Sequence, residues 1–269
     1  MIEKNSVSPP ATGRSKKSGL ASVALQKPQS LAALAAEHIR AAIIEARLHL
    51  GEALSEDKIA ASLNVSRTPV REALGMLQMQ GLIEILPKTG SFVFLPSSSD
   101  IAALAEYRLM LEQHGTALAL QRAPEAYHKE LKKVVAAMNR AAAAEDAIGY
   151  ARADDLFHRA AFTHCDNSYL LEAYNAISGR VAALRSHQAI PLKFYQTSTH
   201  QEHKDILAAV EARDAKRLHA LITHHITVMR HNYVQALEDG LIHVPTARPR
   251  SKGPRGSSVR KNIAQGQAD

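Results

Sequence analysis

The sequence has few of the features that membrane-bound and secreted proteins need. Its 269 residues include a single cysteine, Cys165, which excludes an intrachain disulfide and suits a reducing compartment. No apolar run is long enough to cross a bilayer, and the first residues lack the apolar core of a signal peptide. Tryptophan is absent and aromatic residues make up 4% of the chain, which suits an alanine- and leucine-rich helical protein. We therefore expect a cytoplasmic protein without a membrane partner, long enough for two domains.

Positive charge is in excess, but only near the two ends of the chain. The formal net charge is +7, of which residues 1–28 carry +4 and residues 240–269 carry +5. The residues between them therefore carry −2. Both terminal segments are rich in Ser, Gly and Pro, a composition that predicts disordered basic tails. Such tails could attract DNA non-specifically or serve only as solubilising extensions, so net charge alone does not predict DNA binding.

The stretch from Leu54 to Gly81 predicts a helix, a tight turn and a second helix. Apolar residues keep a helical period on both sides of the turn. These are Ile59, Ala60, Leu63, Val65, Val70, Ala73, Leu74 and Leu77. Ser66 is a suitable N-cap for the second helix, and Pro69 falls in its first turn, where a missing N–H loses no hydrogen bond. Residues 30–47 show the same period and predict a supporting helix before this pair.

The second helix of the pair begins with polar side chains on one face. Arg67 and Arg71 are one helical turn apart and share a side of the helix, and Thr68 also projects from its N-terminal half. A helix-turn-helix needs donors at this position to reach base edges in the major groove. The alternative is that both arginines are merely solvated. The completeness of the surrounding pattern favours DNA binding.

A β-hairpin is predicted directly after the helix pair. Two short apolar segments, 82–86 and 91–95, are rich in β-branched and aromatic residues and flank the turn residues 87–90. A hairpin at this place would be the wing of a winged helix-turn-helix. Lys88 and the flexible backbone at Gly90 would then approach phosphates or the minor groove.

A helical region is predicted from residue 101 to residue 239, after a short linker at 97–100. Its apolar pattern is interrupted near Ala123-Pro124, Asp166-Asn167-Ser168, Ile190-Pro191 and Arg213-Asp214. About six helices with short connections are typical of an antiparallel bundle. We therefore predict a mainly α protein. A winged helix-turn-helix domain at 29–96, with a small β-hairpin wing, is followed by an all-α antiparallel helical bundle.

Histidines are the residues of the predicted bundle that could bind a metal ion. Asp154 and His158 are one turn apart on the same helix face, His203 begins an apolar helical run, and His225 falls on the next helix. Three imidazoles and a carboxylate that converge inside a bundle can hold a divalent metal. The alternative is that they are ordinary solvated or hydrogen-bonded residues, because the chain contains 14 histidines.

The first domain resembles the DNA-binding domain of GntR-family bacterial transcription regulators. The matching residues are Gly51-Glu52-x-Leu54-Ser55-Glu56, Val65-Ser66-Arg67-Thr68-Pro69-Val70-Arg71-Glu72-Ala73-Leu74 and Gly81-Leu82-Ile83. The resemblance implies that Arg67, Thr68, Arg71 and Gly90 contact the operator. Some members of the family carry an arginine where this chain has Asp57, so we do not expect that phosphate contact here.

The second domain resembles the FCD-type effector domain of the FadR subgroup of these regulators. Its signatures resemble Tyr107-Arg108-x-x-Leu111-Glu112, Asp154-x-x-Phe157-His158-Arg159, Asn167-x-x-Leu170, Glu202-His203-x-x-Ile206-Leu207-Ala208-Ala209, Asp214 and His225-Ile226. In metal-binding members one Asp and three His occupy the positions of Asp154, His158, His203 and His225. The resemblance therefore implies a divalent ion, zinc or nickel, with a small organic acid bound beside it. The neighbouring residues His200 and His224 are alternative ligands.

Two arginines are candidates for contacts with the organic acid. Arg108 and Arg185 each carry a guanidinium group, which can bind a carboxylate bidentately. Arg108 could instead form a salt bridge with Glu112, one turn further along the same helix.

These features together predict a metabolite-responsive transcription regulator that binds an inverted-repeat operator as a homodimer. Release of repression by the ligand is the commoner direction in the resembled family. One alternative is a metal-dependent hydrolase or lyase fused to a DNA-binding domain, with Asp155 as the base that such an enzyme would need. Another is an architectural DNA-binding protein without an effector, which the basic tails suggest.

Overall fold

A computed structural model describes residues 30–189 and 195–242 of the chain. The predicted N-terminal tail, the predicted break at 190–191 and the part of the predicted C-terminal tail beyond residue 242 lie outside the described residues. Within the described ranges, the chain forms a winged helix-turn-helix followed by a helical bundle, which confirms the predicted fold class.

The N-terminal part contains three helices and a three-stranded antiparallel sheet. In chain order they are α1 (Leu31–Ile44), β1 (Ala53–Leu54), α2 (Glu56–Leu63), α3 (Arg67–Met79), β2 (Ile83–Leu86) and β3 (Gly90–Val93). The strand order is β1-β3-β2, and Leu86 pairs with Gly90 at the end of the hairpin. Asn64 ends α2 in the left-handed conformation, at φ 54°, and so makes the tight turn into α3. The short strand β1 was not predicted from the sequence.

The helix α3 has one buried face and one exposed face. Val70, Ala73, Leu74 and Leu77 are at most 1% exposed, which agrees with the helical period of the apolar residues. The geometry of a helix sets the direction in which each side chain leaves its axis. When this apolar face is buried, the polar residues of the first turn therefore point outward.

Six further helices form the bundle within the described residues. They are α4 (Ser98–Arg122), α5 (Pro124–Ala143), α6 (Ala147–His164), α7 (Ser168–Ala189), α8 (Tyr195–Glu211) and α9 (Ala215–Glu238). The predicted breaks near 123–124, 166–168 and 213–214 all separate helices. The break between α5 and α6 was not predicted, because no Pro or Gly marks it.

Two boundaries differ from those expected. The helix α4 begins at Ser98, so three of the four residues assigned to a linker form its first turn. Ser97 caps this helix: its Oγ accepts from Asp100 N at 3.2 Å, and Asp100 Oδ2 accepts from Ser97 N at 2.9 Å. At the other end, Ile242 was placed in the C-terminal tail, but it is 2% exposed within the core.

The core of the winged domain continues into the bundle. Leu82 and Ile83, at the base of the wing, belong to the same buried cluster as Leu184 on α7 and Met229 on α9. Apolar burial of this kind is non-directional and depends on close packing, so it holds the winged domain against those two helices. A rearrangement of α7 or α9 therefore disturbs the packing beneath the wing.

Substitution of Gly115 tests the packing of α4 against α6. A Cβ atom at this position would lie 2.9 Å from Cε1 of Phe162, whose ring is stacked on Tyr174. We expect Gly115→Ala to lower the free energy of unfolding by about 1–3 kcal/mol because the rings must shift. Gly75→Ala is the matched control, since a Cβ there meets nothing within 4 Å and alanine favours a helix. Urea denaturation measures both, and equal stability of the two variants would contradict the packing argument.

Candidate metal centre and nucleic-acid interface

Three histidines from three helices meet inside the bundle. His158 on α6, His203 on α8 and His225 on α9 are each at most 2% exposed. One ligand atom of each lies within 4.8 Å of the others, and the Nε2 atoms of His158 and His225 are 3.2 Å apart. The bundle thus brings together residues that are far apart in the sequence, in a group that could hold a metal ion.

Two carboxylates, from the buried Glu112 and the partly buried Glu202, orient the histidine rings. Nδ1 of His158 lies 2.7 Å from Oε2 of Glu112, and Nδ1 of His225 lies 2.7 Å from Oε2 of Glu202. An ionised carboxylate only accepts hydrogen bonds, so in each ring Nδ1 carries the proton and donates it. The Nε2 lone pairs are then available for a metal, as in carboxylate–histidine–metal arrangements of known metalloproteins.

The surroundings keep two of these imidazoles neutral. Burial lowers the pKa of His158 well below its usual range, and the Arg108 cation lowers it further. Burial also lowers the pKa of His225, although the hydrogen bond to Glu202 opposes the shift. Neutral imidazole is the form that binds metal ions, so protons do not compete for these ligands near neutral pH.

Asp154 lies beside the histidines and against Arg185. Its Oδ1 is 2.9 Å from Nε2 of His203, and its Oδ2 is 4.0 Å from Nε2 of His158 and in contact with Nε of Arg185. Burial alone raises the pKa of the Asp154 carboxyl, but the charge of Arg185 and the contact with His203 outweigh it and hold that pKa well below its usual range. Asp154 is therefore an anion at the edge of the histidine group.

His203 shows whether this set of residues fits a metal. Its Nδ1 is buried and has no hydrogen-bond partner among the residues that the structure describes, whereas its Nε2 lies 2.9 Å from Oδ1 of Asp154. A buried polar nitrogen without a partner is costly, and ligation of a metal ion would satisfy it. Buried imidazoles with an adjacent carboxylate are donors that divalent ions such as zinc and nickel accept, so the residues fit.

The two arginines proposed for ligand binding are also buried here. Arg108 is 3% exposed and donates from Nε to Oε1 of Glu112 at 2.6 Å, the salt bridge that the sequence left open as an alternative. Arg185 is 8% exposed and contacts Asp154. Nη2 of Arg108 and both Nη atoms of Arg185 form no hydrogen bond among the described residues. Each guanidinium group therefore keeps donors that its carboxylate partner does not use.

The structure separates the predicted ligands from their sequence neighbours. The side chain of His224 is 63% exposed, whereas that of His225 is 1% exposed. His200 lies outside the histidine group and its Nε2 is 2.7 Å from Oδ1 of Asn139. Sequence reasoning missed Glu112 and Glu202 as site residues. Glu202 directly precedes His203 and Glu112 lies one helical turn after Arg108, but only the rotation of the helices shows that their carboxylates face the rings.

The residues predicted to contact DNA are all exposed in the winged domain. Ser66, Arg67, Thr68 and Arg71 are exposed at the start of α3, and Lys88 and Gly90 are exposed at the tip of the wing. Lys88 has a φ of 62° and Gly90 a φ of 131°, so the wing turn uses left-handed backbone at both ends.

The arginines of α3 are ion-paired with α2. Nη2 of Arg71 lies 2.8 Å from Oε2 of Glu56, and Nη2 of Arg67 lies 3.3 Å from the same oxygen. Nε of Arg67 is also 3.2 Å from Oδ1 of Asp57. The two arginines are 57% and 64% exposed. They are therefore accessible, but they are not freely solvated.

Two protein families match the chain, one over the winged domain and one over the helical bundle. Residues 31–93 match the family described as "Bacterial regulatory proteins, gntR family", and residues 103–228 match the FCD domain. The chain belongs to the GntR family of bacterial transcription regulators and carries an FCD effector domain. These are DNA-binding regulators and not enzymes, which removes the hydrolase or lyase alternative.

Several curated relatives are named as repressors. The chain is 31% identical over 187 residues to a probable D-xylose utilization operon transcriptional repressor of Paenarthrobacter nicotinovorans, and the match covers 68% of this chain and 80% of the relative. It is 33% identical over 140 residues to the gluconate operon transcriptional repressor of Bacillus subtilis, covering 52% of this chain and 57% of that protein.

Solved structures share the fold. A GntR transcriptional regulator from Rhodococcus sp. RHA1 superimposes with a TM-score of 0.67 at 24% identity, over 76% of this chain and 98% of the other. E. coli McbR/YncC superimposes with a TM-score of 0.70 at 19% identity, over 78% and 100% of the two chains. In the described residues of this protein, no helix is both long and apolar enough to cross a membrane.

The contact between Arg185 and Asp154 predicts a large effect on stability. In metal-free protein, we expect Arg185→Met to lower the free energy of unfolding by about 3–5 kcal/mol, because it leaves a buried carboxylate without its cation. The loss should be smaller in an Asp154→Asn background. Urea denaturation in the presence of a chelator measures these differences.

Arg213→Met is the control for this prediction. Arg213 pairs with Glu125 at the surface, with side chains 60% and 75% exposed, so its loss should cost about 0–1 kcal/mol. Equal losses in Arg185→Met and Arg213→Met would show that burial of the Asp154–Arg185 contact carries no special cost.

Proposed function

We propose that this protein is a metabolite-responsive repressor that binds an inverted-repeat operator as a homodimer. A small organic acid binds beside a divalent metal in the bundle and changes the affinity for DNA. The observation that carries the proposal is the set of three buried histidines with unused guanidinium donors nearby. Binding of chromosomal DNA would place the protein in the cytoplasm.

The metal ligands in this proposal are Asp154, His158, His203 and His225. Their support is the burial of all four side chains, the neutral state of His158 and His225, and the unpartnered Nδ1 of His203. Zinc or nickel suits a set dominated by imidazole. When bound, the ion supplies a Lewis-acidic position that a carboxylate oxygen can occupy.

The class of ligand follows from the charges around the histidines. Arg108 and Arg185 are close enough to repel one another, and each retains Nη groups that form no close hydrogen bond among the described residues, although Nη1 of Arg185 lies 3.8 Å from Oδ1 of Asp155. An anion with a planar pair of oxygens would accept from such donors, and a carboxylate has this form. Relatives named as repressors of D-xylose utilization and gluconate operons support the proposal that this protein regulates the use of a small metabolite.

DNA binding uses the exposed residues of α3 and the wing. Arg67, Thr68 and Arg71 contact base edges or phosphates in the major groove, and Ser66 lies beside them at the start of the helix. Lys88 and Gly90 bring the tip of the wing to the backbone or the minor groove. Two copies related by a two-fold axis place two recognition helices on the two half-sites of an inverted repeat.

Two contacts link the ligand site to the winged domain. Helix α6 carries Asp154 and, half a turn earlier, Arg152, which forms an ion pair with Glu45 just after α1. Helix α7 carries Arg185 and then His187, whose Nε2 lies 3.2 Å from the carbonyl oxygen of Leu48. A ligand that binds more tightly to one arrangement of α6 and α7 therefore biases residues 45–48 and the DNA-binding helices attached to them.

Elemental analysis of protein purified without an affinity tag tests the metal site. We expect about one divalent ion per chain, and little in a His203→Ala, His225→Ala double variant, because a site that loses two of its four ligands binds weakly. His219→Ala, at an exposed position on the same helix as His225, is the control and should retain the metal. Absence of metal from the parent protein after incubation with zinc or nickel would exclude the proposed effector site, but not DNA binding.

The Arg152–Glu45 ion pair gives a test of the coupling. Citrate, D-gluconate and succinate serve as carboxylate probes of metal-loaded protein bound to a duplex selected by that protein. We expect Arg152→Ala to reduce the ligand-induced change in DNA affinity by about 0.5–2 kcal/mol, while leaving ligand binding itself in place. Arg213→Ala, which removes an exposed ion pair within the bundle, should leave the response unchanged. An unchanged response in Arg152→Ala would exclude this route.

A further inference from the structure

The side chain of Glu56 is the meeting point of both arginines on the recognition helix. Its Oε2 lies 2.8 Å from Nη2 of Arg71 and 3.3 Å from Nη2 of Arg67. Nε of Arg71 also lies 3.3 Å from each of the two Glu56 oxygens. The carboxylate therefore holds Arg71 by the edge that contains Nε and Nη2, and Nη1 is not part of this contact.

The helix α2 fixes this carboxylate in place. Glu56 is the first residue of α2, directly after the N-cap Ser55, whose side chain accepts from Lys58 N at 3.3 Å. A negative charge in the first turn of a helix is stabilised by the helix dipole. The hydrogen bond from Arg71 lowers the pKa of Glu56, so the group is ionised under physiological conditions. Its side chain is 24% exposed, whereas that of Asp57, which contacts Arg67 only, is 72% exposed.

A fixed carboxylate at this place favours specific DNA binding and weakens non-specific DNA binding. An arginine reads a guanine through two parallel hydrogen bonds, which require a defined orientation of the guanidinium plane. A carboxylate behind the arginine restricts its rotamers and favours that orientation. The same negative charge opposes the phosphates and weakens the sequence-independent attraction. Both effects increase the difference between specific and non-specific DNA.

We infer that Glu56 is a positioning residue that sets the sequence specificity of the protein. It acts through Arg71 and Arg67 and does not itself read a base. The inference rests on the proposed function, in which these two arginines contact DNA. It goes beyond that function because it assigns the discrimination between sequences partly to a residue outside the recognition helix.

Three variants separate positioning from charge. Glu56→Gln removes the charge and weakens the grip on the arginines, whereas Glu56→Asp keeps the charge but shortens the side chain. Glu72→Gln is the matched control, because Glu72 is exposed on α3 and has no hydrogen bond or ion pair to either arginine in the described chain. The probes are a duplex that the wild-type protein selects from a randomised library and a scrambled duplex of the same length, both titrated over a range of salt concentrations.

We expect the ratio of selected to scrambled affinity to fall about tenfold in Glu56→Gln and in Glu56→Asp. Binding of Glu56→Gln to the scrambled duplex should tighten, with a salt slope steeper by about 1. Glu56→Asp should show the loss of specificity without this tightening. Glu72→Gln should keep the wild-type ratio. Thermal denaturation of each variant confirms that it is folded.

An unchanged ratio in Glu56→Gln, or an equal fall in Glu72→Gln, would overturn the inference. Arg71→Ala distinguishes this failure from a failure of the proposed function. If Arg71→Ala loses affinity for the selected duplex while Glu56→Gln keeps the wild-type ratio, the arginine contacts DNA and Glu56 does not position it. If Arg71→Ala binds both duplexes like the wild type, the proposed DNA contact is wrong and the inference falls with it.

Discussion

The contact between Asp154 and Arg185 is the constraint on which the interior of the bundle depends. Both side chains are less than a tenth exposed, so each charge would be costly without the other. Arg185 keeps Asp154 ionised, and Asp154 lies 2.9 Å from a nitrogen of His203. A second pair, Arg108 with Glu112, holds His158 in the same way. The polar site is thus built from compensated charges within an apolar bundle, and a ligand that enters it must compete with these pairs or share them.

The same helices that hold the site also support the DNA-binding domain. Leu184 on α7 and Met229 on α9 lie in the core that extends under the wing, and Arg152 on α6 reaches the end of α1. Packed cores resist gradual deformation and tend to shift between discrete arrangements. In the proposed regulation, a change of charge near Asp154 reaches α3 through α1, which packs against both α7 and α3. The proposed regulation therefore uses contacts that are already present among the described helices.

Much of this architecture could be predicted from local sequence patterns. The winged helix-turn-helix follows from the apolar period around Val70 and Leu74 and from the turn residues of the wing, because both signals depend only on near neighbours in the chain. The two-residue strand β1 was missed because its pairing partner lies in β3, beyond the range of a local pattern. The break before α6 was missed because Glu145 takes a φ of 53° without a glycine or proline to mark it.

The amino-acid sequence determined most of the helices, their order and the residue types that a metal or an operator would need. It determined these because helical period, capping and charge are properties of short segments. Only the tertiary structure decided which groups meet: His225 and not the exposed His224, Glu202 behind His225, and Glu56 between the two arginines. These choices depend on how far each helix is rotated about its axis when the core closes. A rotation of one residue, about 100°, exchanges a buried ligand for a solvated one.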